Sequence, residues 1–164
     1  MHSEPNLRPL RGDEYDAWRS AVTNGYAEQI EMLADTPRAA ARAKAEADMA
    51  TTLPQGLATP GHWIFALEVG GERVGQLWLA ERTMDGRRVI YVYNVEVDEI
   101  HPGVGLGRAA MLLAEAQALA RGIDRIELNV FGGNAVALGL YRSLGYVERA
   151  ISMAKDLSDP APAR

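Results

Sequence analysis

Three glycines at alternate positions join a β-branched stretch of the sequence to an alanine-rich one. They are Gly103, Gly105 and Gly107, in the sequence "VDEIHPGVGLGRAAM". Glycine permits a positive φ and lets other groups approach the backbone closely. The first amide groups of an α-helix have no partner inside the helix and lie at the positive end of its dipole. The turn is therefore a candidate phosphate cradle, although a tight strand-to-helix turn that binds nothing has the same pattern.

Two other phosphate-binding motifs compete for this stretch. A P-loop requires Gly-Lys-Ser/Thr after its last glycine, and Gly107-Arg108-Ala109 breaks that pattern. The stretch "GLGRAA" does match the G-x-G-x-x-A motif of dinucleotide-binding folds, and Glu127 follows at about the right distance. That fold, however, places its glycines after the first strand of a repeated βαβ array. Here they follow antiparallel hairpins and too little chain remains for a second half, which disfavours a dinucleotide fold.

The hydrophobic pattern predicts one α+β domain with a mixed sheet. Helices are indicated by apolar spacings of three and four, and strands by alternation and β-branched runs. The first part of the chain is predicted to form an edge strand at 6–11, a helix at about 14–34 capped by Asp13, and a helix from Thr36-Pro37 to about Ala50. Three strands are predicted next, at 62–69, 73–81 and about 88–98. They are followed by a helix at 107–121, a strand at 125–130, a helix capped by Asn134 and one or two short strands within 146–157. We expect a single domain over residues 1–157 and a flexible tail at 158–164.

Composition excludes several classes of protein. The 164 residues include 22 acidic and 17 basic side chains, a net charge of -5, and no basic run suited to nucleic acid. The absence of cysteine excludes disulfides, thiolate zinc sites and cysteine nucleophiles. No stretch approaches the roughly 20 apolar residues of a membrane span, and the N-terminus has no signal-peptide core. The sequence thus predicts a cytoplasmic protein with no nucleic-acid or membrane partner and no metal.

A second motif follows the glycine turn. It reads Asn-x-x-Ala-x-x-Leu-Tyr and then Leu-Gly-Tyr, and is complete at Asn134, Ala137, Leu140, Tyr141, Leu144, Gly145 and Tyr146. Together with Gly105 and Gly107 this resembles the GNAT superfamily of acetyl-CoA-dependent N-acetyltransferases, whose glycine motif is Gln/Arg-x-x-Gly-x-Gly/Ala. Pro102 departs from the usual Gln or Arg, and it lacks an N–H group. The resemblance covers about residues 88–157.

The resemblance implies a mixed, mostly antiparallel twisted sheet, flanked by helices and splayed between its fourth and fifth strands. It implies that acetyl-CoA enters this opening, with its pantetheine arm paired to the fourth strand and its pyrophosphate on the amides of the glycine turn. The implied cofactor-binding residues are Val95, Val97, Gly103, Val104, Gly105, Leu106, Gly107, Arg108, Asn134 and Tyr141. Members of the family are often dimers, but no segment of this sequence specifies an interface.

Acetyl transfer requires a neutral amine, a proton donor for the leaving thiolate and a stabilised carbonyl oxygen. The resemblance implies that Tyr141 is the general acid, whereas its apolar helical stripe alone is typical of a core tyrosine. Asn134 is both a candidate helix cap and, by the resemblance, a candidate partner of the pantetheine arm. Strand alternation puts Asn94 and Glu96 on one face, which makes Glu96 either a general base acting through a water or an exposed strand glutamate.

The acceptor is not identified by the sequence. Asn94 and Asn129 are candidate acceptor contacts, and Asn129 lies where some members of the family have a glutamate. Tyr26 and nearby acidic residues on the first helix could equally form an acceptor wall or a helix surface. Small amines, amino acids, aminoglycoside-like compounds and peptide N-termini all fit, so the prediction is a small-molecule or peptide amine. The alternative function is a non-catalytic acyl-CoA-binding or sensing module.

Overall fold

A computed structural model of the protein describes residues 4–98, 105–155 and 157. The chain forms two compact units, Met1–Asn129 and Val130–Arg164. The first unit contains β1 (Asn6–Pro9), α1 (Gly12–Ala34), α2 (Arg38–Thr52), a 3-10 turn (Gly56–Ala58), β2 (His62–Val69), β3 (Glu72–Met84), β4 (Arg87–Val97), α3 (Leu106–Ala120) and β5 (Ile126–Leu128). The second unit contains α4 (Ala135–Ser143). In the described part of the chain, no helix is long and apolar enough to cross a membrane.

The first unit is built on a five-stranded sheet with the order β1-β2-β3-β4-β5. Strands β1 to β4 pair antiparallel. The Gly70-Gly71 turn joins β2 to β3 and the turn at Asp85-Gly86 joins β3 to β4, and each reverses the chain directly. Strand β5 pairs parallel to β4, since the chain crosses over through α3 before it returns to the sheet. The predicted mixed, mostly antiparallel α+β sheet is therefore confirmed.

The two faces of the sheet carry separate hydrophobic clusters. On the face covered by α1 and α2, which we call the α1/α2 face, the buried residues are Leu10, Trp18, Val22, Met49, Leu53, Ile64 and Trp78. On the opposite face, the α3 face, Leu67 and Val74 pack with Leu106 and Ala110 of α3. Both layers are predominantly aliphatic and aromatic, so burial of their apolar surface stabilises the sheet between the helices.

Several element boundaries differ from the sequence prediction. Helix α1 begins at Gly12, so Asp13 lies inside it rather than capping it, and the backbone N–H of Arg11 donates to Glu14 Oε2 at 2.8 Å instead. Helix α2 begins after Pro37, one residue later than predicted. The predicted strands after α4 are wrong for the described residues of 146–157, which contain no strand. Propensity alone does not make a strand there, because a strand needs a paired neighbour.

Gly75 allows strands β3 and β4 to approach closely at the end of the sheet. It pairs with Val97, and a Cβ atom at this position would overlap the carbonyl oxygen of Glu96. We therefore expect Gly75→Ala to lower the free energy of unfolding by about 1–3 kcal/mol, the usual effect of overpacking, as measured by denaturant titration.

Gly25→Ala is the matched control for this substitution. Gly25 lies within α1 and has open space around the position of a Cβ atom. An alanine there should leave stability unchanged or raise it by about 0.5–1 kcal/mol, because alanine is the better helix former. If Gly75→Ala proved as stable as the wild-type protein, the close approach would not constrain the sheet.

Candidate active site

The sheet opens between β4 and β5. Their pairing is limited to three residue pairs, and the last of these joins Val92 to Leu128. Strand β4 continues to Val97, so residues 93–97 have no strand partner on the β5 side within the described part of the chain. This confirms the splay predicted between the fourth and fifth strands. A strand edge with unpaired backbone groups can bind an extended chain through main-chain hydrogen bonds.

From Asn94 to Val97, the side chains of this open segment alternate between the two faces as predicted. Val95 and Val97 pack on the α3 face against the cluster that includes Leu106, the first residue of α3. Asn94 and Glu96 lie on the other face, where they pair with Trp78 and Gln76 of β3. The structure thus brings three of the predicted cofactor-binding residues together, at the point where the open edge of β4 meets the start of α3.

The start of α3 has the geometry predicted for the glycine turn. Gly105 has a φ of 77°, a left-handed conformation that favours glycine. The N–H group of Ala109 donates to the Gly105 carbonyl at 3.0 Å, so the amides of Leu106 and Gly107 precede the first hydrogen bond of the helix. The side chain of Arg108 is exposed. Pro102, Gly103 and Val104 lie outside the described residues.

Glu96 is held by a chain of hydrogen bonds that begins on β3. Gln76 donates from Nε2 to Glu96 Oε2 at 2.6 Å, and it accepts a hydrogen bond from Arg73 Nη2 at 2.9 Å. The Gln76 residue is only 4% exposed, whereas Glu96 is exposed. Both ends of a buried amide are therefore satisfied, and its rigid position fixes one oxygen of the carboxylate beside the open segment.

An aromatic cluster flanks Asn94 on the α1/α2 face. The ring of Trp78 stacks on that of Tyr93, with centroids 4.5 Å apart, and its Nε1 donates to His62 Nδ1 at 3.1 Å. This hydrogen bond gives neutral His62 its proton on Nε2. Burial, together with the positive charge of Arg82, lowers the pKa of His62, so the neutral ring is favoured.

Asn94 has an unsatisfied polar atom at the same place. Its Oδ1 is buried without a hydrogen-bond partner among the described residues. A buried acceptor without a partner costs free energy unless a water or ligand donates to it. Asn94 lies on the open segment of β4, so a donor on a molecule bound there would satisfy this oxygen.

The remaining predicted acceptor contacts have partners of their own. Tyr26 on α1 donates from its hydroxyl to Asp48 Oδ2 of α2 at 3.0 Å, so it links the two helices. Asn129 follows β5 directly, and its side chain forms a hydrogen bond with Tyr91 of β4. Burial raises the pKa of Tyr91, which therefore remains a neutral phenol at neutral pH. Asn129 thus belongs to the sheet surface near the opening, whereas the hydroxyl of Tyr26 is already engaged.

The second unit contains Asn134 and Tyr141. The predicted helix cap is confirmed, since Asn134 Oδ1 accepts a hydrogen bond from the Ala137 N–H at 3.0 Å. Tyr141 lies near the end of α4, with its ring centroid 5.8 Å from that of Tyr146. Burial raises the pKa of Tyr141, so the phenol keeps its proton at neutral pH.

Gln76 is the residue of this arrangement that the sequence prediction missed. A signal for it exists, because "VGQLWLA" at 74–80 places one amide in a run with no other polar side chain. A polar residue in a central strand requires a partner. In the described part of the chain, no group of three or more His, Asp or Glu residues is arranged to hold a metal ion.

Comparison with known proteins identifies the family. The model of the acetyltransferase (GNAT) family matches residues 27–146. N-acetyltransferase YdgE of Bacillus subtilis, named as uncharacterised, is 27% identical over 152 residues, which cover 92% of this chain and 97% of YdgE. A mycothiol acetyltransferase of Amycolatopsis mediterranei is 41% identical over 87 residues, which cover 50% of this chain and 29% of that protein.

Solved structures agree with this assignment. The crystal structure of YycN from Bacillus subtilis, also named as an uncharacterised N-acetyltransferase, superposes with a TM-score of 0.87 at 26% identity, covering 93% of this chain and 98% of YycN. The fold is shared by an aminoglycoside acetyltransferase, AAC(6')-Iy, in complex with a bisubstrate analogue of CoA. That structure has a TM-score of 0.58 at 16% identity, covering 94% of this chain and 99% of the AAC(6')-Iy chain. The chain belongs to the acetyltransferase (GNAT) family. It is an N-acetyltransferase that takes its acyl group from acetyl-CoA.

Proposed function

We propose that this enzyme transfers the acetyl group of acetyl-CoA to a primary amine of a small molecule or peptide by direct attack. Glu96 acts as general base through a water, and Tyr141 acts as general acid. The observation that carries the proposal is the open segment of β4, which combines a free strand edge with a carboxylate held at 2.6 Å by a buried amide. Direct attack is favoured because the chain has no cysteine to carry the acetyl group.

The residues of β4 and α3 fit the elongated shape and charge of acetyl-CoA. The backbone groups of Val95 and Val97, which have no strand partner on the β5 side among the described residues, suit the amides of an extended pantetheine arm. The amides at the start of α3, beginning at Gly105, suit a pyrophosphate. We assign Gly103 and Val104 to the same cradle, with Arg108 as a charged contact and Asn134 as a partner of the pantetheine arm. Acetyl-CoA supplies the activated thioester.

Glu96 is suited to accept the proton that the attacking amine must lose. A new C–N bond forms as the C–S bond breaks, and the amine proton passes through a water to the carboxylate. The position of Gln76 supports this role, since its hydrogen bond orients the carboxylate and leaves the second oxygen without a partner among the described residues. The N–H group of Val97 lies on the same open segment and is our candidate donor to the thioester carbonyl oxygen.

Tyr141 is suited to give a proton to the departing sulfur. Its place in the Asn-x-x-Ala-x-x-Leu-Tyr motif supports the assignment. So does its raised pKa, which keeps the phenol protonated at the pH of catalysis. Asn94 and Asn129 are our candidates for contacts to the acceptor, and Tyr26 contributes to the acceptor wall through its ring, since its hydroxyl is bonded to Asp48.

A screen of amines tests the proposed reaction. The protein is offered acetyl-CoA with small amines, amino acids, aminoglycosides and short peptides, and the release of free thiol is measured. At least one primary amine should raise thiol release above the rate without acceptor, and the product should be its N-acetyl derivative. Binding of acetyl-CoA without thiol release from any amine in the panel would contradict the proposal and favour a binding module.

Gln76 should affect catalysis only through Glu96. Gln76→Met keeps the size of the side chain but removes the hydrogen bond to the carboxylate. We expect kcat to fall by about 10-fold, the usual effect of losing one hydrogen bond to a charged group, with acetyl-CoA affinity unchanged. In the Glu96→Gln background the same substitution should have no further effect on kcat.

This double-mutant cycle separates a positioning role from a structural one. If Gln76→Met lowers kcat equally in both backgrounds, Gln76 stabilises the sheet rather than positioning the base. If Glu96→Gln alone leaves kcat unchanged, Glu96 is not the base. The two failures are therefore distinguishable.

A further inference from the structure

Arg82 is a cation held by aromatic side chains on the α1/α2 face of the sheet. It lies on β3, and strand alternation puts it on the same face as Trp78. Its guanidinium carbon is 5.4 Å from the ring centroid of Tyr91 and 5.7 Å from that of Tyr93, and its Nη1 donates to the Tyr93 hydroxyl at 3.0 Å. The two tyrosines therefore fix the cation on the face that also carries Asn94 and Glu96.

Arg82 has no acidic partner among the described residues, in contrast to seven arginines that form ion pairs. Arginines that form ion pairs with carboxylates within the described residues are Arg8, Arg11, Arg42, Arg87, Arg88, Arg125 and Arg142. Across residues 4–98 and 105–155, no ion pair neutralises Arg82. Glu127 pairs with Tyr91 across the sheet, and its carboxylate is bound by Arg125 at 2.5 Å.

The positive charge of Arg82 affects its surroundings. It contributes to the lowered pKa of His62, which is 5.6 Å from Tyr93 between ring centroids. The protein as a whole has a net charge of -5, so Arg82 is a positive group on a chain that is acidic overall. An anionic group brought to Arg82 would find a charged donor and two aromatic rings without displacing an existing ion pair.

We infer that Arg82 binds an anionic group of the acceptor, namely a free carboxylate on the order of 10 Å from the reactive amine. Arg82 itself pairs with Val89 on β4, but its side chain extends to the Tyr93 hydroxyl. Tyr93 precedes Glu96 by three residues, which spans about 10 Å of strand. An extended tripeptide has about this separation between its amino and carboxylate groups. The inference rests on the proposed function, since it takes Glu96 as the place of the amine, and it makes short peptides with a free C-terminus the expected substrate class.

Triglycine and triglycinamide are matched probes for this inference. Thiol release with each should give a kcat/KM about 10- to 100-fold higher for triglycine, mainly through a lower KM, because one charge-assisted contact is lost in the amide. Arg82→Met should remove this preference, and Arg82→Lys should retain part of it. Arg88→Met is the control, since Arg88 is an exposed arginine near the end of the same hairpin that is paired with Glu81; it should keep the full preference.

Calorimetry with the CoA-bound protein tests the same contact without acetyl transfer. Triglycine should bind more tightly than triglycinamide to the wild-type protein and to Arg88→Met, but equally to Arg82→Met. Equal binding of the two peptides by the wild-type protein, or a preference that survives in Arg82→Met, would overturn the inference. If no amine supports thiol release, the proposed function fails, whereas calorimetry still decides whether Arg82 binds a carboxylate.

Discussion

Glu96→Gln is expected to lower kcat for acetyl transfer by about 100- to 1,000-fold, the range expected when a general base is lost. Glutamine has nearly the same shape and can still bond to Gln76, but it cannot take up a proton at neutral pH. The affinity for acetyl-CoA should not change, because the cofactor contacts proposed for this segment come from the backbone. Steady-state thiol release and equilibrium binding of acetyl-CoA measure the two quantities separately.

The loss of kcat in Glu96→Gln should depend on the pKa of the acceptor amine. An amine that is already neutral at the assay pH needs less help from a base than an alkylamine with a pKa near 10. The deficit of Glu96→Gln should therefore shrink as the pH approaches the pKa of the acceptor amine. Glu72→Gln, another exposed glutamate at the start of β3, is the control and should leave kcat unchanged. A deficit that is constant with pH would indicate that Glu96 binds the acceptor instead of removing its proton.

Tyr141→Phe is expected to lower kcat by about 100-fold while acetyl-CoA still binds. Phenylalanine keeps the ring in α4 but cannot protonate the leaving thiolate. Because burial raises the pKa of Tyr141, the wild-type enzyme should keep its acid form at pH values up to its ordinary pKa near 10 and lose it only above that. The rate should be followed by thiol release with saturating acceptor from neutral pH to about pH 10.

Tyr146→Phe provides the comparison for this substitution. Tyr146 is the ring neighbour of Tyr141 and also carries a phenol, but the motif does not give it the role of acid. The variant should retain kcat within about threefold, whereas a loss equal to that of Tyr141→Phe would point to a packing effect on α4. If Tyr141→Phe left kcat intact, a water or another group would have to protonate the sulfur.

Most elements of the sheet could be predicted from local pattern. Strand β2 has the predicted bounds, and α3 ends within one residue of its predicted end, before Gly122 with a φ of 69°, a conformation typical of the residue after a helix. The errors have local causes that pattern does not encode. Helix α1 begins at Gly12 because Glu14 accepts a hydrogen bond from the backbone N–H of Arg11. A prediction that chooses the capping residue by its type alone does not include this contact. The strands predicted after α4 fail because alternation does not provide a pairing partner.

The faces of the candidate site were also predictable, whereas its contacts were not. Alternation correctly separates Val95 and Val97 from Asn94 and Glu96, because the irregularity in β4 pairing precedes Asn94 and leaves the segment after it regular. The bond from Gln76 to Glu96 joins residues 20 positions apart. It depends on the register between two strands, and a register is set by tertiary packing and turn geometry rather than by the residues of either strand. The association of Arg82 with Tyr93 depends on the same register.

The stacking of Trp78 on Tyr93 makes the intrinsic fluorescence of Trp78 sensitive to changes at Tyr93. Of its three tryptophans, Trp18 is 1% exposed in the core and Trp63 lies under the guanidinium of Arg121 on the other face. Of these three tryptophans, only Trp78 has its ring in contact with the rings of both His62 and Tyr93. A molecule that reaches Tyr93 therefore changes the surroundings of this fluorophore, and the emission of Trp78 is a direct readout for the acceptor binding proposed at Arg82 and Tyr93.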